Sequence, residues 1–200
     1  MFTKFTYELM MRKPVIEMGR NRTEERTQIA GIVLERIENL DLQSVLDVGC
    51  GRGELLQYLL MENPNLRACG IDLSERKIIC AAERLNKKAQ LTVGDAETLP
   101  YSDGSFDLLI CGNSIRRCPN PARAINQFYR VLKVGGMLIL YGSSRISAKR
   151  LLAGTVFRYG IDPVRRRSPQ EIRNILEYSA FRNIKWETPA RNLYLATGTK

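Results

Sequence analysis

The chain of 200 residues contains no histidine, one tryptophan and no pair of cysteines at C-x-x-C spacing. Each absence removes a class of chemistry. Without imidazole a histidine-ligated metal site is excluded, and any general base must be a different group. The five cysteines (Cys50, Cys69, Cys80, Cys111 and Cys118) are scattered, and three lie in or beside apolar, strand-like runs. Reduced structural thiols are expected, with no metal site and a reducing, cytoplasmic compartment. No run approaches the ~18 consecutive apolar residues of a membrane span, so none is expected. The opening Met1-Phe2-Thr3-Lys4-Phe5-Thr6-Tyr7-Glu8 lacks the apolar core of a signal peptide.

What is present is an ordinary globular composition, 44% hydrophobic and 26% charged, which can build a core and argues against disorder. Two hundred residues suit one domain, taken as 1–200. Net charge is +10, so anions are attracted. The excess is uneven: from Arg145 to Arg173 there are eight basic residues against Asp162 and Glu171 alone. That stretch reads as a solvated basic surface or as a patch for phosphate and acidic groups, and it admits a nucleic-acid partner without favouring one.

Hydrophobic periodicity predicts alternating helices and strands. Residues 1–22 form an N-terminal arm or lid, followed by a helix from about Thr23 to Asn39. Strands are expected over Ser44–Val48, Leu66–Ile71, Gln90–Val93, Phe106–Cys111 and Met137–Tyr141. Helices fall between them over Gly53–Met61, Ser74–Leu85 (capped by Ser74) and Pro121–Leu132, the last ended by Val134-Gly135-Gly136. Five alternations imply a parallel α/β sheet covered on both faces. A basic insertion, 143–167, then breaks the rhythm. Ser168-Pro169-Gln170-Glu171 is a capping box opening a helix to about Ser179. Ile184–Glu187 and Leu193–Thr197 close the chain as an antiparallel hairpin, giving seven strands in all.

The organising stretch is Val45-Leu46-Asp47-Val48-Gly49-Cys50-Gly51-Arg52-Gly53: a buried strand, a glycine turn and a helix start. Such a turn lets a ligand approach the backbone and meet unpaired N–H groups. In a sheet of this kind ligands bind beyond the carboxyl ends of the strands. Those ends carry Asp47, Asp72, Asp95 and Asn113 in order, with Asp72 placed to accept from a ribose diol. The spacing is G-x-G-x-G rather than the dinucleotide G-x-G-x-x-G, and Asp47 precedes it. An acid there repels a pyrophosphate but suits an ammonium group, which points to S-adenosylmethionine.

These residues carry a family resemblance. Asp47-Val48-Gly49-Cys50-Gly51-Arg52-Gly53 resembles the first motif of class I S-adenosylmethionine-dependent methyltransferases. Gly94-Asp95-Ala96-Glu97-Thr98-Leu99-Pro100-Tyr101, continuing through Asp107, resembles the ubiquinone/menaquinone-biosynthesis-like (type 11) branch. So does Arg130-Val131-Leu132-Lys133-Val134-Gly135-Gly136, with Val134 where proline is usual. The resemblance implies a Rossmann-like, doubly wound, mostly parallel sheet and a cofactor site made of Asp47, Gly49, Cys50, Gly51, Asp72, Leu73, Asp95, Ala96 and Asn113. Asp72 would hold the ribose, Leu73 would pack on adenine, and Asp95 and Ala96 would meet its edge. Asn113 would face the methionine end.

The chain departs from the family after Asn113. Ser114-Ile115-Arg116-Arg117-Cys118-Pro119 has arginines where histidines are frequent. Arg116 and Arg117 are expected either at the mouth of the site, pairing with an anionic acceptor, or as surface charges opening the next helix. Tyr101, Tyr141 and Tyr159 are candidate proton acceptors or ring-stacking partners, and no catalytic residue is assigned. The expected activity is methyl transfer to a small, anionic or ring-containing acceptor. Its rivals are an RNA or protein methyltransferase using the basic region, and a non-catalytic S-adenosylmethionine-binding regulatory module.

Overall fold

The computed structural model describes residues 22–143, 167–190 and 192–200. The predicted arm over residues 1–22 (apart from Arg22), Tyr159 and most of the basic stretch 143–167 lie outside the described residues. A helix, α1 (Arg22–Ile37), precedes β1 (Ser44–Val48), α2 (Glu54–Glu62), β2 (Arg67–Asp72), α3 (Glu75–Leu85) and β3 (Ala89–Val93). Then come β4 (Phe106–Gly112), a short 3-10 turn (Ile115–Arg117), α4 (Pro121–Val131) and β5 (Leu132–Ser143). The chain ends with α5 (Pro169–Glu177), β6 (Arg182–Ala190) and β7 (Leu193–Thr199).

The seven strands form one sheet in the order β3-β2-β1-β4-β5-β7-β6. The first five pair in parallel, and β7 runs antiparallel to both β5 and β6. The expected α/β architecture with its terminal hairpin is the one found. β7 is the inner strand of that hairpin, and β6 forms the edge. The strand order reverses between β1 and β4, which opens a crevice at the carboxyl ends of those two strands.

Burial explains the parallel pairing. Val45, Leu46, Val48, Leu108, Leu109 and Ile110 are all buried, as central strands covered on both faces require. One face packs under α4 and α5 through Phe128, Ile125, Ile172 and Leu176. The other packs under α1 and α2 through Val33, Ile37, Leu56 and Leu59. The helix starts follow from capping: the Asn120 side chain accepts from Arg123 N–H at 3.1 Å ahead of Pro121. Ser168 and Glu171 form the predicted reciprocal box, at 3.1 and 2.7 Å.

Two local expectations are corrected. Ser74 stands at the N-cap of α3 but makes no side-chain capping bond; its own N–H donates to Asp72 instead, at 2.9 Å. Val134-Gly135-Gly136 does not separate α4 from a strand starting at Met137, because β5 already begins at Leu132. Leu132 pairs with Phe106, and the register shifts before Met137 pairs with Leu108. Gly135 N–H donates to the Lys200 carbonyl and Lys200 N–H to the Gly136 carbonyl, so Lys200 ties this stretch into β5 even though Gly135 takes φ +79°.

Candidate functional site

The crevice is built on the turn after β1. Gly49 N–H and Cys50 N–H both donate to the Ile71 carbonyl, at 2.7 and 3.1 Å, which pins the turn to β2. Gly49 has φ +77°. A Cβ placed on it would lie 2.4 Å from Ser114 Oγ, so its lack of a side chain serves packing. Ser114 in turn donates to the Val48 carbonyl at 3.0 Å and lies 3.0 Å from Cys111 Sγ. Gly51 differs. Its φ is +61°, yet a Cβ there would meet nothing within 4 Å. The space over Gly51 is where backbone stands open to a ligand.

Two buried carboxylates flank that space. Asp47 is 3% exposed and Asp72 is 7% exposed. Burial, then the neighbouring carboxylates of Asp72 and Glu54, push the Asp47 carboxyl up to about 7. Asp72 Oδ2 accepts from Gly51 N–H at 3.1 Å and Oδ1 from Ser74 N–H at 2.9 Å. Lys77 Nζ reaches both oxygens at 3.2 Å. A concentration of negative charge beside open backbone is suited to a cation that also carries hydroxyls.

The other predicted residues take distinct places. Leu73 is 71% exposed and Val93 49% exposed, forming an apolar rim at the ends of β2 and β3 on which a flat ring can rest. Asp95 Oδ1 accepts from Glu97 N–H at 3.0 Å, which fixes the turn holding half-buried Ala96. Cys50 turns its thiol inward, close to Gly70, and burial drives its ionisation well upward. Only its backbone can face a ligand. Asn113 has φ +58° and is exposed; its Oδ1 accepts from Ser143 N–H at 2.9 Å, leaving its Nδ2 amide for a ligand.

Arg116 does not take up the anion-pairing position. It is 8% exposed, and its guanidinium donates to the carbonyls of Ser143 and Arg167. It fastens together the chain on either side of residues 144–166. The physical reason is that these carbonyls lie where β5 ends and just ahead of α5, and a buried fork of donors satisfies them. Arg117 is exposed on the same 3-10 turn.

Tyr141, half-buried, lies across Gly112, where a Cβ would come 2.2 Å from the phenol. Tyr101 packs edge-on to Phe106 and is held in the core rather than turned to the crevice. Tyr194, which the sequence did not single out, lies across Gly142 in the same manner. It stacks on Trp186 at 4.8 Å, and its buried hydroxyl has no partner among the described residues. Its signal was its position at the start of β7, opposite a glycine of β5.

Residues 46–140 match the family model described as a methyltransferase domain. The chain is 31% identical over 134 residues to a demethylmenaquinone methyltransferase of Thermotoga maritima, covering 67% of this chain and 55% of that one. It is 34% identical over 109 residues to the ubiquinone/menaquinone biosynthesis C-methyltransferase of Dinoroseobacter shibae, covering 52% and 44%. The chain thus spans about half the length of the curated relatives it matches. Among solved structures, a phosphoethanolamine N-methyltransferase of Haemonchus contortus in complex with S-adenosyl-L-methionine superposes with a TM-score of 0.73. The two are 19% identical over 98% of this chain and 56% of that one. The cyclase SpnF also superposes at 0.73, with 20% identity over 90% and 82% of the two chains. At these identities the structural likenesses establish the fold alone.

Proposed function

We propose that the chain is a class I S-adenosylmethionine-dependent methyltransferase, a reading supported by the methyltransferase-domain match and the likeness to a demethylmenaquinone methyltransferase, and that it transfers the methyl group of S-adenosylmethionine to a small, ring-containing acceptor. The observation that carries the cofactor half is the pair of buried carboxylates, Asp47 and Asp72, on either side of the open backbone at Gly51. Asp47 receives the ammonium of the methionine end and Asp72 the ribose hydroxyls. Leu73 supports adenine, with Asp95 and Ala96 along its edge. The Gly49–Gly51 backbone and the Asn113 amide bound the methionine end. Cys50 contributes main chain only.

The cofactor, when bound, supplies an activated methyl group together with its leaving group. The chain's own residues bind, orient and exclude water. With no histidine in the sequence, transfer rests chiefly on alignment of an already nucleophilic acceptor, an effect of proximity. Relatives named for menaquinone, ubiquinone and tocopherol chemistry support a ring-containing acceptor. The anionic alternative loses the support of Arg116, whose guanidinium is bound to backbone carbonyls.

No helix among the described residues is long and apolar enough to cross a membrane. The five free cysteines support a cytoplasmic location. The RNA or protein rival draws on charges that lie largely outside the described residues.

Calorimetric titration with S-adenosylhomocysteine tests the cofactor claim, and no binding to folded protein refutes it. Labelled S-adenosylmethionine with a panel of quinols and phenols tests the acceptor class. Cofactor binding with no labelled product from that panel rejects the ring-containing acceptor.

A further inference from the structure

The carboxylate proposed to hold the ribose hydroxyls is already fully engaged. A carboxylate presents about four lone-pair sites. Ser74 N–H occupies one on Oδ1 at 2.9 Å and Gly51 N–H one on Oδ2 at 3.1 Å. These two donors belong to the turn and to the start of α3, and they hold Asp72 in place. Lys77 Nζ lies 3.2 Å from both oxygens and takes the remaining pair. A ribose diol donates two hydrogen bonds and needs those same sites. Resting on the cofactor reading above, we propose that Lys77 is a built-in competitor of the ribose diol: it occupies Asp72 in the free protein and swings out as the cofactor enters.

The placement of Lys77 suits displacement. Its side chain is 46% exposed, against 7% for Asp72. It is the third residue of α3, at a helix N-terminus where the helix dipole disfavours a cation. Among the described residues only the Asp72 carboxylate makes the position favourable, so the ammonium has little else there to hold it once hydroxyls compete. Charge balance points the same way. Asp47, Asp72 and Glu54 are close enough to raise the Asp47 carboxyl, and in the free protein Lys77 supplies a counter-charge to this cluster. A ligand that brings an ammonium to Asp47 supplies that charge itself. Cofactor entry thereby exchanges one cation for another, and Lys77 sets the affinity at which the exchange happens.

The test uses the full chain, Lys77→Met and Lys77→Arg, each titrated calorimetrically with S-adenosylhomocysteine, a net-neutral zwitterion. Lys77→Met binds roughly fivefold tighter, the scale of a half-exposed ion pair, and Lys77→Arg binds as the wild type does. Salt gives a second readout. Sodium chloride at about 1 M, where the screening length falls to about 3 Å, narrows the gap in affinity between the wild type and Lys77→Met, because it weakens the Lys77–Asp72 pair that only the wild type has. An unchanged or weaker affinity in Lys77→Met overturns the inference, because Lys77 then steadies Asp72 rather than competing for it. Binding by Lys77→Met alone supports it in an extreme form. Binding by none of the three overturns both this inference and the cofactor reading. Binding by the wild type without the lysine effect overturns this inference alone.

Discussion

Asp47 and Asp107 sit on neighbouring strands of one sheet and are treated in opposite ways. Asp107, the second residue of β4, lies at the end of the sheet away from the crevice. Ser44 Oγ donates to it at 2.6 Å and Lys133 Nζ at 2.8 Å. Burial alone would raise its carboxyl, but the bonds from Lys133 and Ser44 more than offset this and hold it below the usual range. Asp47, near the carboxyl end of β1, is more deeply buried, with Asp72 and Glu54 as its charged neighbours, and is pushed up to about 7. One end of the sheet closes Asp107 into a pair with Lys133. At the other, Lys77 and Arg84 pair with Asp72 and Glu54, and Asp47 stands beside like charges, a cost that a cationic ligand relieves.

The sharpest way to break this contrast is pH. The folded value of Asp47 is about 7 against 3.8 for the unstructured group. Between these the folded state binds the extra proton, so stability from this group is fully present below about 3.8 and lost as pH rises through 7. The loss is on the order of 3–4 kcal/mol for the free protein. Urea unfolding across this window should show the decline, and Asp47→Asn should flatten it. Added S-adenosylhomocysteine should stabilise the wild type progressively more as pH rises.

Gly49 and Gly51 sharpen the comparison within the turn itself. Alanine at 49 meets Ser114 as well as a left-handed backbone, for a cost of about 3 kcal/mol. Alanine at 51 bears mainly the backbone cost, about 1–2 kcal/mol. Melting temperatures should therefore rank Gly49→Ala below Gly51→Ala, while calorimetry finds cofactor binding impaired in Gly51→Ala despite its better fold. Asp72→Ala should weaken S-adenosylhomocysteine binding by about 2 kcal/mol, and an unchanged affinity removes Asp72 from the site. Asp107→Ala should do the reverse. It lowers stability by about 1–2 kcal/mol in denaturant titration and leaves cofactor affinity unaltered.

Legibility in the sequence followed the range of the forces involved. β1 was read to the residue and β2, β3 and β4 to within one, because an apolar run between polar flanks is a local signal. The capping box at Ser168 is equally local. The start of β5 was missed because Val134-Gly135-Gly136 has the composition of a turn, while its place in the sheet depends on bonds to Lys200, more than sixty residues on. Arg116 was misplaced for the same reason. Its partners, Ser143 and Arg167, are 27 and 51 residues away, and nothing near position 116 announces them. The acids at the strand ends were legible as a set. The direction in which burial and mutual repulsion move Asp47 was not. Lys77 could have been suspected, since a cation in the first turn of α3, five residues beyond the strand-end acid, opposes the helix dipole.

The thiols have a practical consequence. Cys50, Cys69 and Cys111 are buried, and burial pushes the Cys118 thiol up to about 12. Half-buried Cys80 stands on α3, three residues past Lys77. An alkylating fluorophore should therefore label the native protein mainly at Cys80, one helical turn from the ammonium that leaves Asp72. The protein carries its own attachment point for watching the cofactor arrive, with no residue needing to be introduced.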